Sequence, residues 1–80
     1  MKNYPYKYYK KLSEIYEKLA DLVKYAEQIE MNKDILLEEY VKEAKQEIIK
    51  KLGNLRYQLK EMGIELKFRL KGEFWNEKDN

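Results

Sequence analysis

The chain has 80 residues, neither cysteine nor histidine, and a net charge of +2 from 17 basic and 15 acidic residues. These figures exclude disulfides and thiolate chemistry, and they leave a zinc site without its usual nitrogen and sulfur ligands. A chain this short forms one domain, whose small core is marginally stable unless it is stapled or paired with another chain.

The near balance of charges predicts a solvated surface rich in ion pairs rather than a binder of polyanions. The longest apolar run, residues 35–37, is too short for a transmembrane helix or a signal peptide. We therefore expect a cytoplasmic protein that does not enter a membrane. Lysine and glutamate are abundant, as is typical of hyperthermophiles, so an archaeal or viral source of that kind is expected, although an A+T-rich genome would give a similar bias.

A heptad pattern predicts a first helix over about residues 5–30. Pro5 suits the first position of a helix, where its missing N–H costs nothing. Apolar residues then alternate at spacings of four and three: Tyr8, Leu12, Ile15, Leu19, Leu22, Ala26 and Ile29. A second row widens this stripe on one side: Tyr9, Tyr16 and Val23. A stripe this wide is typical of a helix that faces a core rather than one partner helix.

A polar stretch then predicts a short turn at residues 31–33, with one uninterrupted helix as the alternative. Asn32 is a good N-cap, and Asp34 suits the first turn of a second helix over about residues 34–62. That helix has its own apolar stripe: Leu37, Val41, Ala44, Ile48, Leu52, Leu55, Leu59 and Met62. Gly53 leaves two possibilities open, because the helix either tolerates it or ends there and restarts at Asn54.

Gly63 predicts the end of the second helix. A glycine at this position can take the left-handed conformation of a Schellman cap, in which Leu59 and Ile64 make the accompanying apolar contact. Two helices of similar length joined by a short turn form an antiparallel hairpin.

After Gly63 the period of the pattern changes to two, which predicts a half-buried strand over residues 64–70. One face is apolar and the other is charged: Ile64, Leu66, Phe68 and Leu70 against Glu65, Lys67, Arg69 and Lys71. Gly72 allows a turn into a short return strand at 73–75. Residues 76–80 have nothing to pack against, so we expect them to be frayed.

The expected fold is therefore mainly α, a long antiparallel helical hairpin followed by a strand or short β-hairpin. Two helices with wide stripes cannot cover each other, so we expect a homodimer in a four-helix arrangement. The residues predicted for its interface are Tyr8, Leu12, Ile15, Leu19, Leu22, Val23, Leu66 and Phe68. The favoured function is a non-catalytic adaptor or regulator that binds another protein.

Nucleic-acid binding is the alternative function. A basic strand face and an N-terminal arm of lysine and tyrosine could contact phosphates and bases: Lys67, Arg69 and Lys71, with Lys2, Tyr4, Tyr6 and Lys7. Residues 48–75 also look like the second half of a winged helix-turn-helix domain, with 64–75 as the wing.

Catalysis has little support in the sequence. The usual acid–base and nucleophilic residues, histidine and cysteine, are absent, and the single serine, Ser13, lies outside the apolar stripe. The glutamates at 38, 39, 43 and 47 lack the histidine partners of a di-iron bundle. We therefore expect neither a metal site nor a cofactor.

Overall fold

A computed structural model describes residues 5–72 and 74–75 of the chain. It contains two helices, α1 (Tyr6–Asn32) and α2 (Glu38–Glu61), which pack together as an antiparallel hairpin. The molecule is elongated, with extents of 53 × 24 × 16 Å. The predicted mainly α fold, with its long helical hairpin, is confirmed.

The first helix begins one residue later and ends two residues later than the predicted 5–30. Pro5 is the N-cap rather than the first helical residue, and its carbonyl accepts the N–H of Tyr8 at 3.0 Å. Asn32 closes the other end, where its side-chain amide donates to the carbonyl of Gln28 at 2.8 Å. The first of these bonds satisfies a backbone N–H that the start of a helix otherwise leaves without a partner.

The connection between the helices differs from the prediction. Asn32 was predicted to cap α2, but it belongs to α1, and its carbonyl accepts the N–H groups of Ile35 and Leu36. This tight reversal occupies residues 33–37 and delays α2 to Glu38. Leu37, predicted on the apolar stripe of α2, is therefore outside the helix and 79% exposed, while Leu36 packs against the core.

Helix α2 is unbroken at Gly53. Leu52 and Leu55, on either side of the glycine, are both buried against the core, and this packing holds the helix together through a residue that disfavours it. The helix-turn-helix arrangement considered for residues 48–75 requires a turn at this point. That resemblance is wrong, because residues 48–61 form one continuous helix.

The predicted cap at Gly63 is confirmed. Gly63 has a φ of 82°, its N–H donates to the carbonyl of Lys60, and the N–H of Ile64 donates to the carbonyl of Leu59, both at 2.9 Å. This pair of bonds defines a Schellman motif. Ile64 is half-buried against the core, which contains Leu59. The cap turns the chain back along the hairpin.

The core lies between the helices and consists of the predicted stripe residues. The buried apolar side chains are Ile15, Leu22, Ala26 and Ile29 from α1, Val41, Ala44, Ile48, Leu52, Leu55 and Leu59 from α2, and Leu70. Ile48 and Leu59 are completely excluded from solvent. Leu70 shows that the C-terminal segment, defined here as residues 64–71, contributes to the same core.

The C-terminal segment has the predicted alternation but does not form the predicted strand. Residues 64, 66, 68 and 70 face the hairpin while 65, 67, 69 and 71 are exposed. Within residues 5–72 and 74–75 no strand is present, so the segment has no ladder. Its neighbours are helices, whose backbone groups are already bonded internally, and only side chains can reach its carbonyls. The Arg56 guanidinium donates to the carbonyl of Phe68 in this way.

The far end of the segment is held at the closed end of the hairpin. Gly72 (φ 119°) lies against the Glu30 carboxylate, and the Phe74 carbonyl accepts a hydrogen bond from the Lys45 ammonium at 2.8 Å. That ammonium also lies 4.3 Å from the centre of the Phe74 ring. Phe74 and Trp75 form a turn instead of the predicted return strand, whereas Glu73 and the tail at 76–80 lie outside the described residues.

This segment covers the wide side of the apolar stripe on α1. Leu12, Leu19 and Val23 are half-buried and pack in the same cluster as Leu66 and Phe68 of the segment. The cover that was expected from a second copy is thus supplied within one chain. The predicted four-helix dimer has no support from this side of the hairpin.

Candidate interaction surfaces

The residues predicted for a dimer interface lie on the inside of this chain. Ile15 and Leu22 are buried between the helices, and the other six are half-buried. Tyr8 is among the latter, and its hydroxyl donates to the carbonyl of Met62 at 3.2 Å. Contact of any of these residues with another copy stays a prediction. Packing within one chain already accounts for their burial.

The residues predicted for nucleic-acid contact divide into two groups. Tyr6 and Lys7 are exposed in the first turn of α1, and the strand-face cations Lys67, Arg69 and Lys71 are exposed on the C-terminal segment. The remaining arm residues, at positions 2 and 4, lie outside the described residues. Because the Tyr8–Met62 bond joins the start of α1 to the end of α2, Tyr6, Lys7 and the first half of the segment share the open end of the hairpin.

The fold separates charges that are balanced over the whole chain. In the closed half of the hairpin, residues 21–47, four lysines face eight acidic residues. In the helical parts of the open half, residues 6–20 and 48–61, eight basic residues face three glutamates. The net charge of +2 therefore conceals an acidic closed half and a basic open half. Such a separation creates local fields that the total charge does not indicate.

Four cations around the hydrogen bond between Arg56 and Phe68 form what we call the cationic cluster: Arg56, Lys60, Lys67 and Arg69. Arg56 is bonded to the carbonyl of Phe68, so the residues on either side of Phe68 lie next to it. Lys60 is one helical turn from Arg56 on the same face of α2. Both also line an open cavity of about 540 Å³ with residues 63–66. The cluster therefore bridges helix and segment.

The outer face of α1 carries a second feature, the tyrosine face, which we define as Tyr6, Tyr9, Ser13, Tyr16 and Ala20. Their spacing of three and four places them on one side of the helix. All five are exposed, with Tyr6 at 75% and Tyr16 at 43%. Although 40% of the chain is charged, this face has no charged residue over four turns.

The face of the hairpin opposite the C-terminal segment is an open groove of about 470 Å³. Six of the eight residues that line it are polar or charged, and the other two are leucines: Lys18, Asp21, Leu22, Tyr25, Lys51, Asn54, Leu55 and Gln58. The Tyr25 and Tyr40 hydroxyls lie 3.2 Å apart near its closed end, and this hydrogen bond raises the pKa of Tyr25. On the outer face of α2, a hydrogen bond with Glu61 raises the pKa of Tyr57.

Neither a metal-binding group nor a membrane span is found in the part of the chain that the structure describes. No three acidic side chains there converge as metal ligands would. Neither described helix is apolar over a length that could cross a bilayer.

Sequence reasoning identified the cations on the C-terminal segment but missed those that α2 adds to them. Arg56 and Lys60 are four residues apart, a spacing that does mark a shared helix face. The sequence could not show that this face adjoins the segment, because that contact depends on the path of the chain after Gly63. The tyrosine face was also missed, since Tyr9 and Tyr16 were interpreted as the edge of the core stripe.

Comparison with known proteins adds no relative, because no family model, curated protein or solved structure matches the chain. Function must therefore be argued from the surfaces themselves.

Proposed function

We propose that this chain is a non-catalytic interaction module that associates with a second copy of itself through the tyrosine face. The observation that supports this proposal is the uncharged, aromatic outer face of α1 in a chain rich in charge. Exposed tyrosines are characteristic of protein interfaces, because each ring gives a large contact area and loses little conformational entropy on binding. The further protein partner expected from the sequence stays a prediction.

The pattern of the tyrosine face suits an antiparallel pair of α1 helices with its two-fold axis at Ser13. In that arrangement Tyr6 of one copy lies opposite Ala20 of the other, so a large side chain meets a small one. Lys10 and Glu17 flank the face on the same side, one heptad apart. The two-fold axis brings Lys10 of each copy beside Glu17 of the other, giving two complementary contacts.

The contact would be modest in size. Residues 6–20 of a helix cover about 22 Å at 1.5 Å per residue. One helix pair of that length lies at the low end of stable interfaces, so we expect a dimer that forms at micromolar concentration and dissociates on dilution. The four helices would lie side by side, with both C-terminal segments on the same face.

Molecular mass in solution, measured by light scattering across a concentration series, tests the proposal. The parent should approach the dimer mass, and Ser13→Arg should stay monomeric because it places two cations together on the axis. Gln46→Arg, an equivalent change at an exposed position of α2, should dimerise like the parent. A folded parent that is monomeric at high micromolar concentration would contradict the proposal.

A charge exchange tests the orientation of the two copies. Lys10→Glu should weaken the dimer because it places a second carboxylate beside Glu17 of the other copy, and adding Glu17→Lys should restore the dimer. The two side chains do not pair with each other within one chain, where Lys10 lies 4.0 Å from Glu14. Equal dimer affinity in the parent, the single variant and the exchange variant would exclude the antiparallel arrangement.

A further inference from the structure

We infer that the cationic cluster, together with Tyr57, binds the sugar–phosphate backbone of single-stranded nucleic acid. This site goes beyond the proposed self-association and uses a different surface. The sequence suggested nucleic-acid contacts on the segment and on the N-terminal arm; the fold adds two cations and an aromatic ring from α2 to those of the segment.

The guanidinium at the centre of the cluster is held in place before any ligand arrives. Arg56 donates one hydrogen bond to the carbonyl of Phe68, and the planar group has further donors that can point outward. A guanidinium with a fixed orientation loses less entropy when it binds a phosphate, and it can donate two parallel bonds. The next residues on the segment, Lys67 and Arg69, project from the same exposed edge.

The cationic cluster has acidic neighbours but no ion pair among the described residues: Glu65 lines the same cavity as Arg56 and Lys60, and Glu27 lines another with Arg69. Across residues 5–72 and 74–75, no carboxylate lies within salt-bridge distance of Lys60, Lys67 or Arg69. Acidic residues are few nearby: Glu65 is the single one among 64–71, and Glu61 follows Lys60 in the helix. Cations that are not held in ion pairs can contact a phosphate backbone, and binding then releases its condensed counterions.

An exposed aromatic ring next to these cations indicates a single strand rather than a duplex. Tyr57 follows Arg56 in the helix and is 60% exposed. A ring of this kind can stack on an unpaired base beside a phosphate contact, and such stacking tolerates any sequence. In a duplex the faces of the bases are hidden, so Tyr57 would have no base to stack on. A membrane surface would likewise offer phosphates without bases.

Fluorescence anisotropy tests the inference, using the full chain and a labelled single-stranded DNA at two salt concentrations. The DNA has about 12 nucleotides, which is within the site sizes of single-strand binders. If all four cations contact phosphates, the logarithm of the association constant should fall with the logarithm of salt at a slope of about −3. The matched duplex, and vesicles containing anionic lipid, should bind about tenfold more weakly because neither offers an exposed base to Tyr57.

Two double variants with the same change of charge separate the site from bulk electrostatics. Lys60→Gln/Lys67→Gln should weaken binding about tenfold and halve the salt slope. Lys24→Gln/Lys42→Gln, in the acidic closed half, should bind like the parent. Arg56 is left unchanged because it also holds the segment.

The ring is tested separately. Tyr57→Ala should weaken binding about tenfold without changing the salt slope, and Tyr57→Phe should bind like the parent because stacking needs the ring and not the hydroxyl. Circular dichroism of each variant checks that the helices are intact.

Three results would overturn the inference: no binding of the single strand at low salt, equal losses in the two double variants, or binding to the duplex or vesicles that matches the single strand. The site does not depend on the dimer. Ser13→Arg should therefore bind with the same affinity per chain, and failure of self-association would leave this result unchanged.

Discussion

The two long faces of the hairpin differ in what covers them. On one face the C-terminal segment packs against half-buried Leu12, Leu19 and Val23. On the other, a groove lined by Lys18, Asp21 and Tyr25 is open to solvent. The side of α1 that the C-terminal segment covers is thus apolar, and the side that faces the open groove is polar.

This difference explains why a single copy can bury its core. An apolar stripe wider than one helix contact has to be covered by something, and the cover can come from the same chain. The open face needs none, because its lysine, aspartate and tyrosine side chains remain hydrated. A second copy is therefore to be sought on the outer face of α1, where exposed tyrosines remain.

The largest expected effect is the loss of stability when a buried leucine of the C-terminal segment is truncated. Leu70 on the segment and Leu22 between the helices are almost equally buried, at 9% and 8% exposure. If the segment is part of one cooperative core, Leu70→Ala and Leu22→Ala should each lower the free energy of unfolding by about 2–4 kcal/mol. Chemical denaturation measures both.

If Leu22→Ala lowers the free energy of unfolding by several kcal/mol and Leu70→Ala lowers it by less than about 1 kcal/mol, the segment is not part of the cooperative core. Leu37→Ala is the control, since this leucine is exposed and should lose almost nothing.

The end of the segment should be the next most sensitive point. A methyl group at position 72 would come within 2.7 Å of the Glu30 carboxylate. The φ of Gly72, 119°, is also strained for any other residue. Gly72→Ala should therefore destabilise the protein by about 1–3 kcal/mol. Thermal unfolding measures the loss. An unchanged melting temperature would show that the segment is not held at the closed end.

The hydrogen bond of Tyr8, which joins the start of α1 to the end of α2, is the next test. Removing only its hydroxyl in Tyr8→Phe deletes the bond to the Met62 carbonyl and should cost about 1 kcal/mol. Tyr16→Phe, on the same helix and exposed, is the matched control and should cost less. Equal losses from the two changes would show that this bond does not join the helix ends in solution.

The smallest effect, and the only gain, is expected on the outer face of α2. Nothing lies within 4 Å of a methyl group placed at Gly53, and the helix is regular there. Gly53→Ala should raise the free energy of unfolding by up to about 1 kcal/mol, because alanine loses less conformational freedom in a helix. Destabilisation instead would mean that a local bend or a contact in solution needs the glycine.

Periodic patterns in the sequence were sufficient to predict the hairpin and its core. The heptad spacing of α1 and the glycine at 63 act over one or two turns, so they report local structure directly. The alternation after Gly63 correctly separated inward from outward residues for the same reason. The start of α2 was less predictable, because the loop at 33–37 depends on how two helices reach packing distance.

What only the tertiary structure decided is which surfaces meet. An alternating segment can pair with a strand or lie on helices, and the pattern is the same in both cases, since it records one buried side and not the identity of the neighbour. The path of residues 64–71 placed Phe68 beside Arg56, and so brought cations of the C-terminal segment next to those of α2. It also covered the stripe that had suggested a second copy. Both results depend on long-range contacts, which no local spacing of residues encodes.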